Sequence, residues 1–234
     1  MSKRSDTVLI LGDTHLPFAD KAALREAVYR AKHLQPTHIV QIGDLFDHFA
    51  FSRFYRDLNK SYPQLELSEG AGQARKLWSD LQKAAPAAKC FQLNGNHDSE
   101  RLKKLVLQGQ PEVYSIVAEF MAQRMTFAGV HTVQEYRDFL TLKINGTPTV
   151  FCHGWLSTTA KHLNFFKKNV VLGHLHRAEI YYSREFGGAS NYAMNVGYLG
   201  DENSHVFNYT QCVKKSWTLA LGIIDRDGPR VVTL

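Results

Sequence analysis

Short apolar runs alternate with helical patterns through the first half of the chain, and this order limits the possible folds more than any other feature. Three apolar runs end in polar residues, as buried strands do, and cover residues 8–11, 38–42 and 89–93. The spacing of apolar residues predicts helices over residues 20–34, 73–85 and 99–107. Because strands and helices alternate, we expect a largely parallel sheet with helices on its faces.

The second half of the chain changes character after Thr126. Residues 139–144 and 149–152 flank Asn145-Gly146, and Asn-Gly suits the two-residue turn of a β-hairpin. Further strands are predicted over residues 169–172, 192–196, 217–224 and 231–233. We therefore expect one α/β domain over residues 1–234, built from two β-sheets flanked by helices.

The composition is that of a globular protein, with 44% apolar and 21% charged residues. It excludes disorder, collagen-like repeats and coiled coil as descriptions of the whole chain. The net charge of +6 favours anionic partners, although an ordinary basic surface explains this charge equally well. Three widely spaced cysteines argue against a disulfide framework and against a cysteine-ligated zinc site.

No segment of the sequence indicates export or membrane insertion. The apolar run after the basic N-terminus covers only residues 7–11, whereas a secretory signal needs roughly 7–15 apolar residues and a cleavage site. No run approaches the roughly 20 apolar residues of a membrane span. We therefore expect a cytoplasmic protein without a membrane partner, and the sequence leaves its oligomeric state open.

Polar clusters of one chemical kind follow the predicted strands. They are Gly12-Asp13-Thr14-His15, Gly43-Asp44-Leu45-Phe46-Asp47, Asn94-Gly95-Asn96-His97-Asp98, Cys152-His153-Gly154 and Gly173-His174-Leu175-His176. The carboxyl ends of parallel strands converge on the ligand crevice of an α/β sheet, and Asp, His and Asn are ligands for Mn²⁺, Fe, Zn²⁺ and Ni²⁺. Each cluster alone is explained by a helix N-cap and a surface histidine. Five clusters in order instead predict a metal site, and an extended chain would point His174 and His176 the same way.

This ordered series resembles the motifs of the calcineurin-like metallophosphoesterase superfamily: Gly-Asp-x-His, Gly-Asp-x-x-Asp, Gly-Asn-His-Asp, His-Gly and Gly-His-x-His. The motifs extend from Asp13 to His176, and all of them are intact. The later segment 195–201, with Trp217 after it, resembles small phosphoesterases of bacteriophages and prophages. The resemblance implies a four-layer fold, a two-sheet β-sandwich flanked by helices, and phosphoester hydrolysis with two divalent metal ions.

The resemblance also implies a role for each motif residue. One metal ion would be held by Asp13, His15 and His176, the other by Asn96, His153 and His174, with Asp44 bridging both. His97 would stand over the leaving-group oxygen, and Asp47 would orient its imidazole. Two such cations clamp the attacking and leaving oxygens of a displacement at phosphorus, and an imidazolium donates to the departing alkoxide. Mn²⁺ is the first expectation, with Fe, Zn²⁺, Ni²⁺ and Mg²⁺ as alternatives.

Residues after Asp47 depart from the protein serine/threonine phosphatases of this superfamily. Those enzymes have Arg-Gly directly after Gly-Asp-x-x-Asp and end the third motif in Glu. Here Asp47 is followed by His48-Phe49, and the third motif ends in Asp98. Protein dephosphorylation is therefore disfavoured.

The aromatic and basic run over residues 48–56 follows a predicted metal-ligand loop. Aromatic faces stack on bases and arginines contact phosphates, so this run suits a nucleotide, but its phenylalanines would equally fasten a short helix to the sheet. Three side chains are the candidates for binding substrate: His48, Arg53 and Arg177. The basic run over residues 101–104 is interpreted as a solvated face, and Trp155 either walls the site or packs in the core.

The favoured function is a dinuclear-metal-dependent phosphoesterase acting on nucleic acids or nucleotides, with a phosphodiesterase or nuclease preferred. A nucleotide phosphomonoesterase remains an alternative, since His97 serves either reaction. A non-enzymatic protein-binding scaffold of the same fold is the remaining alternative. The scaffold is disfavoured because the chain keeps His97 and every implied metal ligand.

Overall fold

The computed structural model describes residues 5–52, 62–109, 111–133, 135–183, 190–210 and 216–234. The helices are α1 (Lys21–Leu34), α2 (Tyr62–Ala84), α3 (Arg101–Gly109), α4 (Tyr114–Arg124) and α5 (Thr159–Phe166). The strands of the first half are β1 (Val8–Leu11), β2 (His38–Gln41), β3 (Lys89–Leu93) and β4 (Val130–Val133). The later strands are β5 (Phe139–Ile144), β6 (Thr147–Cys152), β7 (Asn169–Leu172), β8 (Ala178–Tyr182), β9 (Tyr192–Val196), β10 (Ala220–Asp225) and β11 (Gly228–Thr233).

These strands form two mixed sheets. The six-stranded sheet has the order β11-β10-β1-β2-β3-β4, in which β1 to β4 run parallel and β10 pairs antiparallel with β1. The five-stranded sheet has the order β5-β6-β7-β9-β8, with a parallel centre and antiparallel edges. The predicted α/β class with two sheets is confirmed.

Strand β1 shows how the sequence separates the layers. Leu9 and Leu11 pack with the alanines of α1 and with α2, whereas Val8 and Ile10 pack against the second sheet. Successive side chains of a strand point to opposite faces, so this fully apolar strand is buried from both sides. On the far face of the second sheet, β6 and β7 pack against Leu163 of α5. The layers therefore follow the order helix, sheet, sheet, helix, as the resemblance implied.

Local signals place several element ends as predicted. The Asp20 carboxylate accepts from the backbone nitrogens of Ala22 (2.7 Å) and Ala23 (2.8 Å), so it caps α1. Asn145 and Gly146 both have positive φ, 47° and 88°, as a type I′ turn between β5 and β6 requires. The predicted hairpin is confirmed, with β6 beginning two residues earlier, at Thr147.

Other predicted boundaries are wrong. Helix α2 begins at Tyr62 rather than residue 73, and β10 begins at Ala220 rather than residue 217. Elements α4, α5, β4 and β8 were not predicted. They expose much of their apolar surface, including Ile116 of α4 (69%), so their periodicity is weak. No helix within the described ranges is long and apolar enough to cross a membrane.

Trp78 of α2 generates a prediction for the helical layer. Its side chain is 2% exposed and contacts the Phe127 ring, yet its indole nitrogen makes no hydrogen bond to any described residue. We expect Trp78→Ala to lower the free energy of unfolding by about 3–5 kcal/mol through cavity formation. Trp78→Phe should lose clearly less, because no hydrogen bond is removed. Urea denaturation measures both, and equal losses would contradict this account.

Candidate metal centre

Five loops that follow β1, β2, β3, β6 and β7 meet at the carboxyl ends of these strands. The backbone nitrogens of Thr14 and His15 both donate to Asp44 O at 2.9 Å, which joins the loops after β1 and β2. The nitrogen of His174 donates to the Asp13 carboxylate at 3.0 Å, which joins the two sheets. His97 N donates to Asp44 Oδ1 at 2.8 Å and adds the loop after β3. The structure thus brings all five polar clusters together.

Two buried glutamines support the loops after β1 and β2. The Nε2 atom of Gln41 donates to Gly43 O (2.8 Å) and Gly12 O (3.3 Å), and its Oε1 accepts from Gly43 N (2.9 Å). The Nε2 atom of Gln92 donates to Gln41 Oε1 at 2.5 Å and fixes that amide. These hydrogen bonds connect the loops after β1 and β2 and hold them in one geometry. Neither glutamine was singled out by the sequence, because each belongs to a predicted strand and lies outside the five polar clusters.

Asp13, His15 and His176 form the first group of facing donor atoms. His176 Nε2 lies 2.9 Å from Asp13 Oδ2 and 3.1 Å from His15 Nε2. On the other side of the His15 ring, Nδ1 lies 2.9 Å from Asp47 Oδ2. A carboxylate behind a histidine is the arrangement that orients metal-ligating imidazoles. Stacking on Tyr198 further fixes the His176 ring, with 5.2 Å between ring centroids.

Asp44, His153 and Asn96 form the second group. His153 Nε2 lies 3.3 Å from Asp44 Oδ2 and 3.1 Å from Asn96 Oδ1. Its other ring nitrogen, Nδ1, lies 3.1 Å from the carbonyl oxygen of Ile42. Because a carbonyl only accepts, Nδ1 carries the proton of this bond and Nε2 faces the two oxygens. The His174 ring packs edge-on against His153, with 5.2 Å between centroids.

Four of these side chains project from left-handed backbone. The φ angles are 53° for His15, 50° for Asp44, 67° for His174 and 56° for His176. Non-glycine residues rarely adopt this conformation, and strain of this kind concentrates at functional sites. The expectation that His174 and His176 extend from a straight strand in one direction is wrong. The turn sends His174 towards His153 and His176 towards His15.

The electrostatics of the cluster favour bound positive charge. Burial opposes ionisation of Asp44, but the neighbouring His153 and His97 hold its pKa well below the usual value, and the pKa of Asp13 is also lowered. Burial likewise opposes charge on His153, yet Asp44 and Asp13 raise its pKa to about 9. Three groups of buried Asp and His side chains have ligand atoms within 4.8 Å of one another. This donor set fits divalent metal ions of the kind that carboxylate and imidazole bind.

Asp98 organises the loops instead of facing the cluster. Its carboxylate accepts from the backbone nitrogens of Leu45 (3.2 Å), Phe46 (2.8 Å) and Gly95 (2.9 Å). Burial and the nearby charge of Asp44 raise the pKa of Asp98 to about 7. The last residue of the third motif therefore holds the Asp44 loop against the loop after β3.

His97 lies beside both groups, together with Asp47 and an unexpected arginine. His97 Nδ1 lies 3.4 Å from Asp47 Oδ2, and Nε2 lies 3.9 Å from Asp44 Oδ2. Arg101 donates to Asp47 Oδ1 at 2.8 Å and contacts His97 Nε2 at 2.9 Å. The interpretation of Arg101 as part of a solvated face is wrong. One signal in the sequence did point to this contact: Arg101 follows His97 by four residues, and residues four apart on a helix are neighbours on its surface.

A cleft of about 290 Å³ opens over the two groups. Its lining comprises Asp44, Asn96, His97, His174, Leu175, His176, Arg177 and Trp217. Arg177 is exposed at this cleft. Trp217 packs edge-on against His176, with 4.3 Å between ring centroids, and forms part of the cleft wall. The sequence predicted this residue at the start of a strand. Trp155 instead packs against His162, Phe165 and Phe166. Of the two alternatives for this residue, packing is therefore the one that the structure supports.

His48, the one candidate of the aromatic and basic run among the described residues, does not line this cleft. His48 is 2% exposed, stacks on Phe46 and bonds through Nδ1 to His97 O at 2.9 Å, so its interpretation as a residue that binds substrate is wrong. Phe49 is buried against Val206 and Phe207. Arg53 lies outside the described residues.

Comparison with known proteins agrees with this geometry. The family model for calcineurin-like phosphoesterases matches residues 7–206. The chain is 24% identical to the Gene 54 protein of Mycobacterium phage L5 and covers 92% of it; 99% of this chain is aligned. The Gene 54 protein of Mycobacterium phage D29 gives the same identity and coverage.

Solved structures show the same fold. The chain is similar to a structure described as a novel archaeal phosphodiesterase, with a TM-score of 0.50 and 15% sequence identity. The alignment covers 97% of this chain and 99% of that one.

Gly95 provides a prediction for the centre, because a side chain at this position would collide with the carboxylate and the backbone nitrogen of Asp44. We expect Gly95→Ala to displace Asp44 and to weaken Mn²⁺ binding by about 10–100-fold, the range for residues that support metal ligands. Isothermal titration calorimetry measures the affinity. Gly72→Ala is the control, since a methyl group there meets nothing within 4 Å. A folded Gly95→Ala protein with unchanged Mn²⁺ affinity would contradict the prediction.

Proposed function

We propose that this chain, which belongs to the calcineurin-like phosphoesterase family, hydrolyses phosphoester bonds of nucleic acids or nucleotides with two divalent metal ions. The observation that carries the proposal is the convergence of the Asp13–His15–His176 group and the Asp44–His153–Asn96 group beneath one open cleft. His97, a potential proton donor, lines the same cleft.

The two groups suggest how the metal ions would be shared. Asp13, His15 and His176 would hold one ion, and Asn96, His153 and His174 the other, with the buried Asp44 between them. Such a pair of ions supplies Lewis-acid polarisation of the phosphoryl group and activation of water at neutral pH. Mn²⁺ is the proposed metal, and Fe, Zn²⁺, Ni²⁺ and Mg²⁺ suit the same donors.

His97 and Asp47 supply the remaining chemistry. The leaving alkoxide gains a negative charge, and His97 Nε2, which faces the cleft beside Asp44, would donate a proton to that oxygen. Burial lowers the pKa of His97, and Asp47, which lies behind the ring at Nδ1, offsets part of this effect by favouring the cationic form. The Asp47 carboxylate stays ionised because Arg101, His15 and His97 outweigh the effect of its burial and hold its pKa well below the usual value.

The substrate class follows from charge and from the shape of the cleft. Arg177 is exposed beside the candidate metal ligands, where its guanidinium can reach a phosphate oxygen. The open cleft and the net charge of +6 favour a polymeric phosphodiester, so a phosphodiesterase or nuclease is preferred. A nucleotide phosphomonoesterase is the second candidate, because Arg177 near two metal ions also suits a phosphate dianion.

The proposal is tested by incubating the Mn²⁺-loaded protein with a 5′-phosphorylated oligonucleotide and identifying the products by mass spectrometry. Shortened chains or mononucleotides indicate a phosphodiesterase. Release of inorganic phosphate from an intact chain indicates the phosphomonoesterase. Asp44→Asn is the matched inactive control. A protein that binds no divalent ion and cleaves neither this substrate nor nitrophenyl esters would contradict the proposal and favour the scaffold alternative.

His97→Ala tests the proton-donor role. An alkoxide leaving group needs a proton and a nitrophenolate does not, so we expect a loss of about 10²–10⁴-fold on an unactivated phosphodiester and a far smaller loss on a nitrophenyl diester. Metal content, measured by inductively coupled plasma mass spectrometry, should be unchanged. Equal losses on both substrates would exclude this role, and loss of metal would make His97 a ligand.

A further inference from the structure

Arg101 is the first residue of α3 and sits at the junction between His97 and Asp47. Its side chain is 15% exposed. The Nη1 atom donates to the backbone oxygen of Asp47 at 2.9 Å and to its carboxylate Oδ1 at 2.8 Å, and Nη2 contacts His97 Nε2 at 2.9 Å. One guanidinium therefore makes three polar contacts with two residues of the proposed machinery.

We propose that Arg101 is a positioning residue that aligns His97 for the leaving group, both directly and through Asp47. This inference rests on the proposed function. Arg101 is absent from the lining of the cleft, whereas His97 is part of it. Arg101 therefore acts through His97 and not on the substrate.

The chemistry of the guanidinium determines which atom donates in the hydrogen bond between Arg101 Nη2 and His97 Nε2. Arginine offers only donors in a rigid planar fork, so His97 Nε2 accepts from Arg101. The ring proton then lies at Nδ1, 3.4 Å from Asp47 Oδ2. The ring is held from both sides, and its Nε2 atom stays directed towards the cleft. When a phosphoester enters, the Nη2 contact would be released, Nε2 would take up a proton from solvent, and this N–H would face the leaving oxygen, while the Nη1 contacts keep Asp47 in place.

The two oxygens of Asp47 extend this alignment to a candidate metal ligand. Arg101 occupies Oδ1, which leaves Oδ2 for His15 at 2.9 Å and His97 at 3.4 Å. The carboxylate is 2% exposed, so it needs the guanidinium to balance its charge. The backbone adds a further connection, because Arg101 N donates to Asn96 O and closes the wide helical turn that carries His97.

A double-mutant cycle on the Mn²⁺-loaded protein tests the inference. We expect Arg101→Gln to slow cleavage of an unactivated phosphodiester by about 10–100-fold, with little effect on a nitrophenyl diester. Arg101→Lys should recover only part of this loss, because an ammonium group cannot bridge both partners. In a His97→Ala background, Arg101→Gln should change the rate by less than about twofold. Additive losses would overturn the inference and make Arg101 an independent contributor.

Lys104→Gln is the matched control, because it removes the same charge from an exposed position of α3. It should leave the rate on both substrates unchanged. Thermal denaturation and metal content of each variant show whether fold and metal ions are retained. A uniform loss on both substrates together with loss of metal would assign Arg101 a structural role and overturn the inference.

A measurement without substrate separates this inference from the proposed function. Ring ¹⁵N signals of the histidines in the metal-free protein report the tautomer, and His97→Ala assigns the His97 signals. We expect the proton of His97 at Nδ1 in the wild type and a redistribution between the two nitrogens in Arg101→Gln. An unchanged His97 ring would overturn the inference, whether or not the protein cleaves phosphoesters. If the wild type is inactive but the ring signals respond, the proposed function fails and the alignment of His97 stands.

Discussion

Asp13 and Asp44 place two carboxylates in the interior of the protein, and the neighbouring loops are arranged around them. Each accepts a backbone N–H from a loop after a different strand: His174 N for Asp13 and His97 N for Asp44. The remaining charge is met by histidine rings, above all His153, whose pKa the two carboxylates raise. Burying a charge is destabilising unless it is paired, so these two groups determine where the histidines lie and why the centre attracts cations.

Asp47 connects the candidate metal centre to the candidate proton donor. One of its oxygens faces both His15 and His97, and the other is held by Arg101. The orientation of one carboxylate therefore affects a candidate metal ligand, His15, and the candidate proton donor, His97, at once. Positioning by a charged group behind the histidines gives more precise alignment than packing alone, because hydrogen bonds to a guanidinium have fixed directions.

The sequence predicted the parts of the site that depend on strand ends. Asp13 and Asp44 follow neighbouring parallel strands of one sheet, whose carboxyl ends lie at the same edge, and His153 follows a strand of the second sheet that ends at the same crevice. Residues whose position depends on helix geometry were misjudged. Arg101 precedes Leu and two lysines, a pattern typical of a solvated face, and only the turn after Asn96 brings it to His97.

Two further residues were misjudged for other reasons. His48 has the polarity of a binding residue, but a left-handed backbone at φ 54° directs it into the core. Trp217 reaches the cleft because β10 begins three residues later than its apolar pattern indicated.

The paired amides of Gln41 and Gln92 have a consequence for cation binding at the candidate metal centre. Their hydrogen bonds hold the loops after β1 and β2 through neutral groups, whose bonding is the same with and without a cation nearby. The geometry of these loops therefore does not depend on a bound cation, and a divalent ion would meet donor atoms that are already in place. Because carboxylate and imidazole donors accept several divalent metals, such a preformed centre would leave metal availability to contribute to which ion is bound.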